Sequence, residues 1–214
     1  ALGTGPHHPQ EEPHIEASLY RGSIYSAGLG RDVHFALLPA GRMGAIRAAS
    51  ICSALVESYS ISHLVVIGIA GSLVDYLNPG DVFIPTRVTD YMANSASTTK
   101  SLKLETSANQ YPVRQRLLNR LQAFHSGRKE LWREYIKAEK SALLPSGIEE
   151  EIKTIFKSKK KKYQGFPCDV HIGEDTGLAS GPTVGKSPIF VEWLKGDVDR
   201  KFIGIDMESA GVFD

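Results

Sequence analysis

Two carboxylates flank a methionine in the run Ile205-Asp206-Met207-Glu208-Ser209-Ala210-Gly211, directly after the apolar stretch Phe202 to Ile205. Acids at the end of a buried strand need partners, because an unpaired charge out of water is costly. A vicinal diol is one such partner, since both hydroxyls can donate to a single carboxylate while methionine packs on the apolar face of a sugar. Acids that meet the dipole of a following helix are the other reading. A second segment, Gly41-Arg42-Met43-Gly44, leads into Ala45, Arg47, Ala48 and Ala49. A glycine turn at a helix start exposes backbone N–H groups, which suit an anion or a polarised water. By itself it is equally an ordinary strand–helix turn. A third, Gly68-Ile69-Ala70-Gly71-Ser72, is followed by Gly80-Asp81-Val82. Its glycines allow either a ligand or a neighbouring element to approach the backbone closely.

Each segment needs an element to position it, and the pattern supplies one. Residues 63–70, His-Leu-Val-Val-Ile-Gly-Ile-Ala, form a β-branched run expected to be an interior strand covered on both faces. Residues 18–25 and 33–38 read as two strands, the second the more buried. Ala45, Ala48, Ala49, Cys52, Leu55, Val56 and Tyr59 fall on one helical stripe. Val113, Leu117, Leu118, Leu121 and Phe124 fall on another. Short strands are expected at 81–85, 170–173 and 202–206, a strand end and turn at 178–181, and a short helix from Phe190 to Leu194. Turns are expected at Gly71-Ser72 and at Asn78-Pro79-Gly80. Strands alternating with helices imply an α/β fold of three layers, a central mixed β-sheet with helices on both faces.

Composition narrows the function classes. With 214 residues, 42% of them hydrophobic, the chain can bury a full core without disulfides. A formal net charge of +1 does not favour a nucleic-acid binder. Cys52 and Cys168 make neither a disulfide framework nor a metal site. The longest uncharged apolar stretch, 64–74, is too short to span a bilayer, and residues 1–14 lack the features of a signal peptide. A cytoplasmic protein, away from membranes, is the expectation. Residues 1–17 read as a flexible N-terminal segment and 18–214 as one domain, with a helical insertion at 127–162 broken at Pro145-Ser146-Gly147. That insertion carries eleven Lys/Arg against six Glu, a net +5, and ends in Lys159 to Lys162. A solvated helix face is its ordinary reading, and a contact for phosphate-bearing ligands or an acidic partner is the sharper one.

Taken together, the segments GIAGSL…NPGDVFIPTRVTDY, GLASGPTVGKS and GIDMESAGVF resemble the purine nucleoside phosphorylase/uridine phosphorylase superfamily, most closely its 5′-methylthioadenosine/S-adenosylhomocysteine nucleosidase branch. The resemblance implies N-glycosidic cleavage of a purine nucleoside or nucleotide, a homo-oligomer, and neither cofactor nor metal. It implies that Glu208 binds the ribose 2′ and 3′ hydroxyls, with Met207 packed on the ribose and Asp206 as a second acid. Val184 and Ser180 would lie beside the purine, Ala70 and Gly71 beside ribose and base, and Gly44 and Arg42 near the nucleophile. Phosphorylases of the superfamily place an Arg two positions before the strand-end glycine and a Ser or Thr after it. Here those positions are Val66 and Ile69. Water is therefore the expected nucleophile. Phosphate held by Arg42 or Arg47 is the alternative, and a catalytically silent nucleoside-binding or oligomerisation module is the non-enzymatic one. The resemblance also implies an activating acid on a strand before Ser18 and a Ser-Asp pair well after Glu208. Glu11 and Glu12 are expected in a loop-like stretch, where they substitute poorly for the first, and no Ser-Asp pair follows Glu208, so the chain is expected to be a piece of a longer polypeptide.

Overall fold

The computed structural model describes residues 10–12, 17–41, 44–78, 80–92, 94–98, 102–106, 108–138, 147–158, 169–173, 175–182 and 187–213. These fall into two compact units, one made of residues 1–67 with 207–214 and the other of residues 68–206.

The first unit pairs three strands with one helix. Strands β1 (Gln10–Glu12), β2 (Ala17–Ser26) and β3 (Arg31–Leu37) run antiparallel in that order. Residues 10–12, expected within a loop-like frayed end, thus extend the sheet, so Glu11 and Glu12 do lie on a strand before Ser18, because β2 offers that segment a pairing edge. Helix α1 (Ala45–Ser58) follows its glycine turn as the pattern requires. Ala48, Ile51 and Leu55 are buried, and Ile51 and Leu55 pack with Leu19 of β2, while Val56, expected on the buried stripe, faces solvent. Arg21 lies over the Tyr59 ring, 5.2 Å from its centroid, and donates to the Tyr59 hydroxyl at 2.6 Å. The expectation that the second strand is the more buried fails. Val33, Phe35 and Leu37 are exposed, because α1 packs on Leu19, the one buried side chain among those described in the β2–β3 ribbon.

In the second unit a five-stranded mixed sheet has the order β4-β12-β11-β6-β9. Its members are β4 (Gly71–Ser72), β6 (Arg87–Asp90), β9 (Asn109–Pro112), β11 (Gly177–Ser180) and β12 (Phe202–Asp206). Strands β6, β11 and β12 are parallel, and β4 and β9 close the edges antiparallel. Strand β5 (Val82–Ile84) pairs parallel with β10 (Val170–Ile172), and β7 (Asn94–Thr98) forms a hairpin with β8 (Leu102–Thr106). Helix α2 (Gln115–Ala138) runs from the expected stripe into the insertion, and α3 (Ile148–Ser158) starts just after the expected break. Helix α4 (Pro188–Trp193) continues into a π-helical turn, Leu194–Val198. The core joins Tyr91, Ala179, Leu194, Phe202 and Ile205. The α/β class with a mixed sheet, four α-helices lying among the described residues, is the fold that the pattern predicts. The stretch 139–146 and the lysines 159–162 lie outside the described residues.

Residues 63–70 correct a central expectation. They form no regular element and enter no ladder until Gly71, and Ile67 and Ile69 are 87% and 94% exposed. Gly71-Ser72, expected as a turn, is instead the short edge strand β4 against β12. A β-branched run fits an interior strand, but only backbone partners on both sides make it one. Those partners go to β11 and β12, whose residues are almost all buried. No described helix is long and apolar enough to cross a membrane.

Candidate functional site

The turn before α1 and the acid after β12 meet in the first unit. Gly44 is the N-cap of α1 at φ 124°, a conformation that favours glycine. Its N–H donates to Oε1 of Glu208 at 3.1 Å. The other carboxylate oxygen, Oε2, accepts from the N–H of Met207 at 3.2 Å. An anion at the start of α1 was expected from the glycine turn, and the chain's own glutamate fills that role. The short 3₁₀ turn Ser209–Val212 keeps the glutamate there, with Gly211 N–H donating to Glu208 O at 3.1 Å. A Cβ on Gly211 would lie 2.0 Å from Ala45 O, so only glycine lets this turn sit against α1. Met207 and Glu208 are both half-buried.

A carboxylate has about four acceptor positions, two per oxygen. The two backbone donors occupy one position on each oxygen of Glu208. The anchored carboxylate thus retains acceptor capacity on both oxygens, in an orientation held by backbone at both ends. This is what recognition of a vicinal diol requires.

The second unit gathers the remaining described candidates on its sheet. Ser180 of β11 stands in register with Asp206 of β12 on one side and with Asp90 of β6 on the other. The three lie at the carboxyl ends of adjacent parallel strands, where open α/β sheets bind ligands. Gly181 N–H donates to Asp206 O at 3.2 Å, and Tyr91 N–H to Ser180 O at 3.3 Å. Gly181 is packed under the Tyr91 ring, where a Cβ would come within 2.5 Å. Tyr91 meets Phe190 and Trp193 edge-on, with centroids 5.8 and 6.4 Å away. Gly71 pairs with Ile205, and its absent Cβ makes room for the Ile205 side chain, so close strand packing accounts for this glycine. Ala70 precedes it, half-buried. Arg42 and Val184 lie outside the described residues.

Asp90 and Tyr91 were not among the expected site residues. Their signal was present: Arg87-Val88-Thr89-Asp90 repeats the strand-into-acid pattern of Phe202 to Asp206. Thr89 just before it is fully buried, and its Oγ1 has no hydrogen-bond partner among the described residues. Cys52 offers no rival nucleophile, because burial pushes its thiol above the ordinary value, opposite to what a reactive thiolate needs. Among the described residues no group of His, Cys, Asp or Glu is placed to hold a metal ion.

Comparison with known proteins gives the family and the fold. The family model for the phosphorylase superfamily matches residues 5–139, more than half of the chain. No curated protein matches. Among solved structures, a futalosine hydrolase mutant of Helicobacter pylori strain 26695 superposes with a TM-score of 0.51 at 14% identity, covering 97% of this chain and 72% of that one. A 5′-methylthioadenosine/S-adenosyl homocysteine nucleosidase of Helicobacter pylori superposes with a TM-score of 0.52 at 15% identity, covering 97% and 68%. A mutant of that nucleosidase, with 5′-methylthioadenosine in its active site, gives 0.51 at 15% identity, with 97% and 68% covered. At such identities the likeness is one of fold.

Proposed function

Because the chain belongs to the phosphorylase superfamily, we propose that it cleaves the N-glycosidic bond of a purine nucleoside or nucleotide, with water as the nucleophile. The doubly anchored carboxylate of Glu208 carries this reading. In the proposed complex each Glu208 oxygen accepts one hydroxyl of the ribose diol, and the Met207 side chain packs on the sugar. As the bond from the anomeric carbon to the base nitrogen breaks, its electron pair leaves with the purine, which takes up a proton. Positive charge grows on the sugar, and a fixed carboxylate close to it stabilises that charge more than it stabilises the neutral ground state. Water then adds to the anomeric carbon and loses a proton, giving free sugar.

The apolar side chains of Val66 and Ile69 support water over phosphate, since they cannot offset the desolvation of a phosphate dianion. On the resemblance alone, Ser180 is proposed as a purine contact and Asp206 as the second acid. A cytoplasmic setting fits this substrate class. The test incubates the full-length protein separately with adenosine, methylthioadenosine and ATP, with and without phosphate, and identifies the sugar product. Free base and free sugar without phosphate are expected. Ribose 1-phosphate formed only in the presence of phosphate overturns the hydrolytic reading, and no base release from any substrate leaves the silent module.

A further inference from the structure

Helix α1 carries charges that oppose its own dipole. Arg47 stands in its first turn and Glu57 in its last, with no acid at the start and no base at the end. A helix favours the reverse, because its amino end is the positive pole and its carboxyl end the negative one. The fold supplies both missing charges from elsewhere in the same unit. Glu208 brings a carboxylate to the amino end, held by Gly44 N–H. Arg21 of β2 brings a guanidinium to the carboxyl end, where Tyr59 is the C-cap. Its Nη2 donates to the Tyr59 hydroxyl at 2.6 Å, and its guanidinium lies 5.2 Å from the centroid of the ring. Tyr59 also packs against the cluster of Leu19, Ile51 and Leu55.

On the reading that Glu208 is the ribose ligand, we propose that Arg21 is a positioning residue for the cleavage. Through Tyr59 it sets where α1 lies, and so where Glu208 is held. Direct electrostatics are too weak to carry this. The 14 residues of α1 span about 21 Å, and exposed charges are screened beyond about 8 Å. The link is mechanical. Residues 19 and 21 of β2 share one face of the strand, so β2 touches α1 at two points. The first, Leu19 on Ile51 and Leu55, is apolar and non-directional, and it holds helix and strand together without fixing rotation or sliding. The second, Arg21 on Tyr59, is a directional hydrogen bond from a planar guanidinium, and it resists both. At the other end of α1 the turn that carries Glu208 follows the helix closely. Gly211 sits so near the Ala45 backbone that a Cβ has no room, and Gly44 N–H holds the carboxylate itself. A slide of α1 therefore displaces the carboxylate. Misplacing a group at the reacting centre costs rate before it costs binding.

Steady-state cleavage of adenosine by the full-length protein tests the proposal, beside hydrogen exchange at the Gly44 amide followed by NMR. Arg21→Gln removes the charge and should lower kcat about threefold to tenfold, with KM within about twofold of the unaltered value. The Gly44 amide should exchange severalfold faster. Arg21→Lys keeps a cation over the ring and should restore most of both readings. Tyr59→Phe removes only the hydroxyl and should lower kcat in the same direction. The double variant Arg21→Gln with Tyr59→Phe should be no slower than Arg21→Gln alone, as for two residues acting as one unit. Arg21 is exposed, so the thermal midpoint should stay nearly unchanged. An unchanged kcat in Arg21→Gln overturns the proposal, and so does a lysine variant as slow as the glutamine one, or a double variant whose losses simply add. Where even the unaltered protein leaves adenosine intact, the reading of the reaction fails, and the Gly44 amide decides the tether separately. Faster exchange in Arg21→Gln supports it, and unchanged exchange overturns it.

Discussion

Glu208 is held by two backbone N–H groups, one of them 164 positions away at Gly44. Glutamine at this position keeps an oxygen for Gly44 but loses the charge. Hydrogen bonds to a charged group contribute about 1.5–3 kcal/mol, against about 1 for neutral ones. Each 1.4 kcal/mol lost from the transition state costs about tenfold in rate. Glu208→Gln is therefore expected to lower nucleoside cleavage between about tenfold and a hundredfold, with the thermal midpoint nearly unchanged. A steady-state assay beside a melting curve checks both, and undiminished turnover would remove Glu208 from the site. The two acids around Met207 were legible as a pair at a strand end because they are neighbours in the chain. The bond to Gly44 was not legible, since no local spacing connects positions 44 and 208.

Among the elements, β6, β11 and β12 present the sheet ends that carry Asp90, Ser180 and Asp206, and their opposite ends are tied by ion pairs. Arg87 at the start of β6 donates through Nε to Asp199 Oδ2 at 3.0 Å, and its Nη2 pairs with the same oxygen. Nη1 reaches Asp175 Oδ1 at 2.8 Å, and Lys201 pairs with the other oxygen of Asp175. Arg87 and Asp199 are largely buried, so removing the guanidinium strands a carboxylate in poor solvent. Such losses cost about 3–5 kcal/mol. Arg87→Ala should shift the denaturant midpoint downward by a corresponding amount, and a midpoint moved by less than about 1 kcal/mol equivalent would show the network to be solvated and weak. Helix α1, apart from Val56, and strand β12 matched their patterns because their apolar side chains find covering neighbours within the fold. Residues 63–70 did not, because a β-branched run specifies extended backbone and leaves its hydrogen-bonding partner open.

At the scale of the molecule, charge is unevenly spread. Residues 127–162 carry a net +5 on a chain whose total is +1. Arg128 and Lys157, in α2 and α3, are exposed. Exposed charges are screened beyond about 8 Å at physiological ionic strength. If the protein cleaves as proposed, ATP hydrolysis at its glycosidic bond should slow severalfold as salt rises from about 0.05 to 0.5 M. Adenosine cleavage should change little over the same range. Equal salt profiles for the two substrates would mean that the insertion does not steer phosphate.

By itself the sequence determined what near neighbours decide: the glycine turn into α1, the stripe that buries Ala48 and Leu55, the turn at Asn78 to Gly80, and the apolar strand that delivers Asp206 to its end. These follow from periods of 3.6 and 2 and from the backbone freedom of glycine, all local properties. Tertiary structure alone decided which strands lie inside the sheet, which cation ties their amino ends, and which N–H groups hold Glu208. Each of those rests on hydrogen-bond donors and acceptors brought together from distant positions. A backbone group will pair with whichever complementary group the fold presents, and no local pattern names its partner.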